Sequence, residues 1–174
     1  MVSIAFASRL LYIIGRNQYV RPLLIKKEIN LIKVEHSIVI NRPVPEVFAF
    51  VTDPVNNTKW QEGLVESRMA SSSAMEVGAQ VTDVRKFLGR DMESKLEVLV
   101  YEPNKRYMLK IISGPIPPEI IQTFDPDVNG TKLTTLIHGE PGGFFKLAAG
   151  TAQKQLESQI QGDQKRLKKV LEEQ

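Results

Sequence analysis

The chain has 174 residues, 42% hydrophobic and 25% charged, which suits one folded domain with or without an appendage and excludes bulk disorder. It has no cysteine and two histidines, His36 and His138. A disulfide scaffold, a thiol nucleophile, a cysteine zinc site and an iron–sulfur cluster are therefore excluded, and a multi-histidine metal site has almost nothing to draw on. The net charge of +3 sits in the leader, where Arg9, Arg16, Arg21, Lys26 and Lys27 face Glu28 alone, so residues 31–174 are slightly acidic and lack the basic excess that nucleic acid requires.

Residues 1–30 read as an N-terminal extension outside the fold, and residues 31–174 as the domain. Ile4, Phe6, Leu10, Leu11, Tyr12, Ile13 and Ile14 are interrupted by Arg9 and Arg16. Organelle-targeting and membrane-lying segments share this composition, so any membrane contact is expected through this stretch, but a plain extension is the preferred reading. No positive region precedes the apolar stretch, as a secretory signal would need, and no apolar run reaches the ~18–20 residues of a spanning helix. A cytoplasmic protein is the expectation.

Alternation in KVEHSIVIN predicts a strand over residues 33–41, with Val34, His36, Ile38 and Ile40 on one face. A helix follows. Pro45 suits its first turn, Glu46 suits its positive end, and Val47, Phe48, Phe50 and Val51 give it an apolar side. Asp53-Pro54 ends it, and VNNTKWQ is a turn or second short helix carrying the only tryptophan, Trp60. Six strands are then predicted, over 64–71, 78–88, 91–101, 106–113, 118–125 and 130–138. Gly89-Arg90-Asp91 makes a tight hairpin, Glu102-Pro103-Asn104-Lys105 a turn, and Asp125 to Gly130 a longer loop. Connections this short force antiparallel pairing.

Met92, Ser94, Leu96, Val98 and Val100 are expected to face inward, opposite Glu93, Lys95 and Glu97. Tyr107, Leu109 and Ile111 form a second inward set, Ile120, Gln122 and Phe124 a third, and Leu133, Thr135 and Ile137 a fourth. After Gly142-Gly143 a long amphipathic helix carries Ala148, Ala152, Leu156, Ile160, Leu167, Val170 and Leu171 near helical spacing. The fold class is α+β: a curved seven-stranded antiparallel sheet wrapped around a long C-terminal helix, with two short helices after the first strand. Such a sheet and a straight helix do not touch everywhere, which leaves room for a cavity between them.

The stretch INRPVPEVFAFVTDPVNNTKW resembles the opening of the SRPBCC superfamily, in particular its polyketide cyclase/dehydrase branch, through Pro45, Val47, Phe48, Asp53, Pro54 and Trp60. Val77–Val81 is similar to that branch's next glycine motif, and Phe87-Leu88-Gly89-Arg90 to its central hairpin. Gly130-Thr131 and Asp163–Glu172 resemble its last strand and its helix ending. The resemblance covers about residues 33–172. It implies a helix-grip fold, found also in START lipid-transfer domains and birch-pollen-type allergens, with a cavity for a hydrophobic or amphipathic small molecule, lipid- or polyketide-like. It implies no particular catalysis, and no cofactor or metal is expected.

A ligand-binding protein is the first expectation. Its cavity would be lined from the first helix and the segment after it by Phe48 and Trp60, and from the strands by Met69, Val81, Phe87, Leu96, Val98, Leu109, Ile111, Ile120, Gln122 and Phe124. The last helix would add Ala152, Leu156 and Ile160. Trp60 gates the mouth or, the preferred reading, anchors its loop in the core. Gln122 meets a ligand oxygen or is bonded within the protein. The alternative function is a cyclase or dehydratase drawing an acid–base pair from His36, Asp83, Arg85 or Tyr107. Against that, Asp83 and Arg85 read more simply as a solvated pair with Thr82, Val84 and Leu88 facing inward, and His36 as a half-exposed residue at a frayed strand start. His138 is read as rim or surface. Oligomeric state is not legible.

Overall fold

The computed structural model describes residues 32–70, 74–87, 89–113, 119–139 and 149–173. Strand β1 (Ile32–Ile40) leads to α1 (Val44–Thr52) and the one-turn α2 (Pro54–Asn57). Six strands follow: β2 (Leu64–Met69), β3 (Gln80–Phe87), β4 (Arg90–Glu102), β5 (Arg106–Ser113), β6 (Glu119–Asp127) and β7 (Gly130–Gly139). The chain then forms α3 (Ala149–Glu172). The expected leader, Leu88, the stretch before Ala149 and the side chains of Phe87 and Ala152 lie outside the described residues.

Local chemistry places the helices. Asp53 adopts an extended backbone ahead of Pro54, which stops α1, and its side chain accepts the Val55 amide at 3.0 Å, which caps α2. The seven strands form one antiparallel sheet in the order β1-β7-β6-β5-β4-β3-β2. The first strand therefore lies beside the last, at one edge. α3 packs on this curled sheet with Ile160, Leu167 and Leu171 buried on one stripe. Further bonds pin its end: Glu172 accepts the Asn41 amide at 2.7 Å and Lys168 Nζ donates to the Val39 carbonyl at 2.8 Å.

The interior divides in two. Phe48 of α1 packs on Tyr101 and Phe124, with ring centroids 5.3 and 5.0 Å away. Ile40, Val47, Val98, Leu133, Leu167 and Leu171 fill the space around them. A smaller apolar group, Val34, Ile137 and Ile160, lies apart from this core.

Three local expectations are corrected. Val98 pairs with Leu109 but Val100 pairs with Met108, so Leu99 is an extra residue in β4. That bulge turns Tyr101 inward, against Phe48 and Tyr107, in the place expected of Val100. The 125–130 loop is shorter than expected, because pairing continues to Asp127↔Gly130. Pro126 is tolerated there because β5 has already ended: its last pairing to β6 is Arg106↔Thr123, so no ladder donor is required. Finally, β3 buries three residues in succession, Val81, Thr82 and Asp83. Thr82 lies on the outer face, paired with Arg68 on β2 and Lys95 on β4.

Gly130 begins β7 at φ +127°, and a Cβ there would overlap the Ile40 carbonyl oxygen and stand 2.8 Å from the Arg42 amide nitrogen. Thr131 beside it is fully buried and donates to the Arg42 carbonyl at 2.7 Å.

Candidate functional site

A cavity of about 120 Å³ lies between the sheet and α3. The strand register assembles its apolar wall. Val81 pairs with Leu96 and Leu96 with Ile111, while Leu109 pairs with Ile120 and Ile120 with Ile137. Leu156, Gln159 and Ile160 face it from α3, and Val51, Asn57, Trp60 and Gln61 from α1 and the segment after it.

One part of the wall is polar. Ser67 pairs with Asp83 and Asp83 with Ser94, all three buried. Asp83 Oδ2 lies 3.9 Å from Arg85 Nη2. Asn57 Nδ2 donates to Ser67 Oγ at 3.3 Å. Three buried polar atoms of cavity residues have no hydrogen-bond partner among the described residues: Asn57 Oδ1, Trp60 Nε1 and Asp83 Oδ1. Burial pushes the Asp83 carboxyl up from the ordinary value, against the opposing pull of the Ser67 hydroxyl and Arg85.

A second polar row crosses the sheet. Tyr107, Gln122, Thr135 and His36 are successive partners on β5, β6, β7 and β1. Gln164 of α3, 1% exposed, covers its far end, accepting from His36 Nδ1 and donating to Thr135 Oγ1 at 3.0 Å and to the His36 carbonyl at 3.3 Å. The Tyr107 hydroxyl donates to Met75 Sδ at 3.5 Å, and burial, with the charge of Asp83 nearby, drives its pKa far up. The Gln122 amide has no side-chain partner among the described residues.

The segment carrying Trp60 is held from two sides. Asp163 of α3 accepts the Glu62 amide at 2.8 Å, and Arg85 of β3 donates to the Glu62 carbonyl at 3.2 Å. Arg85 also bonds Gln61 Oε1, and Arg166 donates to the Trp60 carbonyl at 3.0 Å and to Asp163. Burial raises the Asp163 carboxyl, while the Glu62 amide, Arg166 and Arg85 oppose it.

Nine of the expected lining residues border this cavity: Trp60, Val81, Leu96, Leu109, Ile111, Ile120, Gln122, Leu156 and Ile160. Phe48, Val98 and Phe124 lie instead in the aromatic core, and Met69 packs half-buried against it. Asp83 and Arg85 face inward with Val81, which overturns the solvated-pair expectation; Asp83 is 6% exposed. Trp60 is both buried in the core and part of the cavity wall. His36 is not at a frayed start but in mid-strand, engaged by Gln164 and off the cavity wall. His138 pairs with Glu119 at 3.2 Å on the outer side. Asp163 and Gln164 went unread in the sequence, although they fall three and four residues after Ile160 on the buried stripe.

The raised Asp83 carboxyl has a consequence for stability. A folded pKa above the unfolded value favours the native state below about 3.8, and that contribution is lost as pH rises through the folded value. Urea midpoints of wild type relative to Asp83→Asn should therefore fall between pH 4 and pH 7. A difference that stays level, or rises, would show that the carboxylate is not disfavoured by its site.

A family model described as polyketide cyclase / dehydrase and lipid transport matches residues 32–172. No curated protein sequence matches. Solved structures share the fold. Protein CV1439 from Chromobacterium violaceum has a TM-score of 0.62 at 19% identity, over 81% of this chain and 97% of that one. Ara h 8.0201 has a TM-score of 0.61 at 12% identity, over 83% and 99% of the two chains. The di-domain ARO/CYC StfQ from the steffimycin biosynthetic pathway has a TM-score of 0.66 at 13% identity, over 82% of this chain and 51% of that one. No described helix is long and apolar enough to cross a membrane.

Proposed function

Because the chain belongs to the polyketide cyclase/dehydrase and lipid transport family of the SRPBCC superfamily, we propose that it binds a hydrophobic or amphipathic small molecule between its sheet and α3. The observation that carries this reading is the cavity itself, walled by Val81, Leu96, Leu109, Ile111, Ile120 and Ile137 and left open by the aromatic core beside it. Removal of apolar ligand surface from water would supply most of the affinity, at about 25 cal/mol per Å² before the costs of association. A lipid-like or polyketide-like molecule is the proposed class. Native mass spectrometry of the purified full chain should reveal a carried molecule. Alternatively, titration with N-phenyl-1-naphthylamine should quench the lone tryptophan, Trp60, which lies in the cavity wall. No carried mass together with no saturable quenching would overturn the reading.

A second reading, catalysis by cyclisation or dehydration, has one observation in its favour. Asp83 and Tyr107 are both buried and both border the cavity, and burial favours the protonated form of each. A neutral carboxyl is a competent hydrogen-bond donor to a substrate carbonyl, and the Tyr107 hydroxyl becomes one on leaving Met75 Sδ, to which it donates at 3.5 Å. Arg85 is occupied in holding Gln61 and Glu62, and His36 in holding Gln164. Turnover of a polyketide-type substrate that survives both Asp83→Asn and Tyr107→Phe would remove this pair from consideration.

A further inference from the structure

The inner face of the sheet is built in rows, and one row marks where the cavity ends. Leu109, Ile120, Ile137 and Val34 are successive partners from β5 to β1, and the first three border the cavity. Phe124, Leu133 and Ile38 are successive partners from β6 to β1, and they belong to the aromatic core. Between these two rows runs the polar row of Tyr107, Gln122, Thr135 and His36. On β6, Gln122 therefore has Ile120 of the cavity wall on one side and Phe124 of the core on the other. The core side is the closed one. Phe124, Leu133 and, on α3, Leu167 are buried, whereas Leu156 and Gln159, earlier on the same helix, are half-buried.

Gln122 is 7% exposed, and its side-chain amide has no hydrogen-bond partner among the described residues. Its neighbours in the row are engaged elsewhere: the Tyr107 hydroxyl donates to Met75 Sδ, and Thr135 Oγ1 accepts from Gln164, which His36 also engages. The amide differs from Asn57 Oδ1, Trp60 Nε1 and Asp83 Oδ1, which lack partners but are sealed within the protein. Neither polar atom of the Gln122 side chain is sealed in that way, and the residue borders the cavity, so the surface they keep opens onto it. Gln159 borders the cavity too, but its partial exposure lets outside water serve it. An amide donates through its nitrogen and accepts through its oxygen, and leaving both unpaired beside an apolar wall carries a cost that a matching ligand group removes. We propose that Gln122 is the specificity-determining residue of the cavity: its amide nitrogen donates to a carbonyl or hydroxyl oxygen at the inner end of an otherwise apolar ligand. The apolar body then lies along Leu109, Ile120, Ile137 and Leu156. This deepens, and rests on, the proposal that the cavity binds a small molecule.

The test is calorimetric titration of the full chain with butylbenzene, 1-phenylbutan-1-one and 1-phenylbutan-1-ol, which share one carbon skeleton and differ only in the oxygen. Gln122→Met keeps the length of the side chain and removes the amide. At least one oxygen compound should bind Gln122→Met about five- to tenfold more weakly than wild type, the scale of one buried hydrogen bond. Butylbenzene should bind the variant as well as it binds wild type, or better. Which oxygen compound loses more identifies the ligand group as carbonyl or hydroxyl. Gln122→Leu makes the same comparison if Gln122→Met fails to fold. In nitrogen-15-labelled wild type, the side-chain amide signal that the variant lacks should shift further with the ketone than with butylbenzene. If all three compounds respond alike to the substitution, the amide keeps a water and the anchor proposal fails while the cavity-binding reading stands. Butylbenzene that binds where neither oxygen compound does overturns it likewise. If none of the three binds, the anchor proposal falls, and the cavity-binding reading rests on the naphthylamine titration and the carried mass alone.

Discussion

Leu109→Trp will weaken binding of N-phenyl-1-naphthylamine by roughly 50- to 100-fold while leaving the protein folded. Leu109 is half-buried on β5, between Val98 of β4 and Ile120 of β6, and its side chain borders the cavity. An indole at that position occupies much of a space of about 120 Å³. A ligand deprived of on the order of 100 Å² of apolar contact loses about 2.5 kcal/mol, which sets the scale of the effect. Aromatic residues suit strands, and the added atoms enter space that is already open, so the change in folding stability should remain within about 1–2 kcal/mol. The checks are a probe titration and a urea melt on the same sample. Undiminished affinity in a folded Leu109→Trp protein would place the ligand somewhere other than this cavity.

Gly130→Ala is expected to cost about 3 kcal/mol or more, through overlap with the backbone at the end of β1 as well as through its φ of +127°. The clash is with the Ile40 carbonyl and the Arg42 amide, main-chain groups that cannot swing aside as a side-chain tip would. Gly78 is the control. Its φ is +88°, yet nothing lies within 4 Å of the position a Cβ would take. Gly78→Ala therefore meets only the backbone preference, about 1–2 kcal/mol. Equal losses for the two variants in chemical denaturation would mean that the Gly130 contact has room to relax.

Period-two alternation made most of the architecture readable, because each strand has one face against the interior and one against water. It failed where that condition fails. In β3, Thr82 is as buried as Val81, so alternation could not say which face held Asp83, and the general reluctance to bury charge then pointed the wrong way. In β4 the extra residue at Leu99 reverses the faces with no turn former to announce it, and Tyr101 replaces Val100 in the interior. On α3 the apolar stripe was visible but was read only through its hydrophobic members. Asp163 and Gln164 continue it between Ile160 and Leu167, and their buried neighbours, the Glu62 amide and the His36–Thr135 pair, come from chain segments a hundred or more residues away or, for Thr135, from β7. Polar residues on an otherwise apolar stripe are the signal that would have found them. The division of the apolar set between aromatic core and cavity wall was not legible, since Val98 and Leu96 have the same character and differ only in what α1 places over them.

The pairing of β1 with β7 sets an order of events during synthesis. Ser37 and Thr134, whose hydroxyls meet at 2.8 Å, are 97 residues apart in the chain. On the ribosome β1 must wait for nearly the whole domain to emerge before it finds its neighbour, and the helix that closes the cavity emerges later still. A nascent chain therefore has no hollow to load. A ligand of the kind proposed would enter a finished protein, and a polypeptide cut short before its final helix should expose sticky apolar surface.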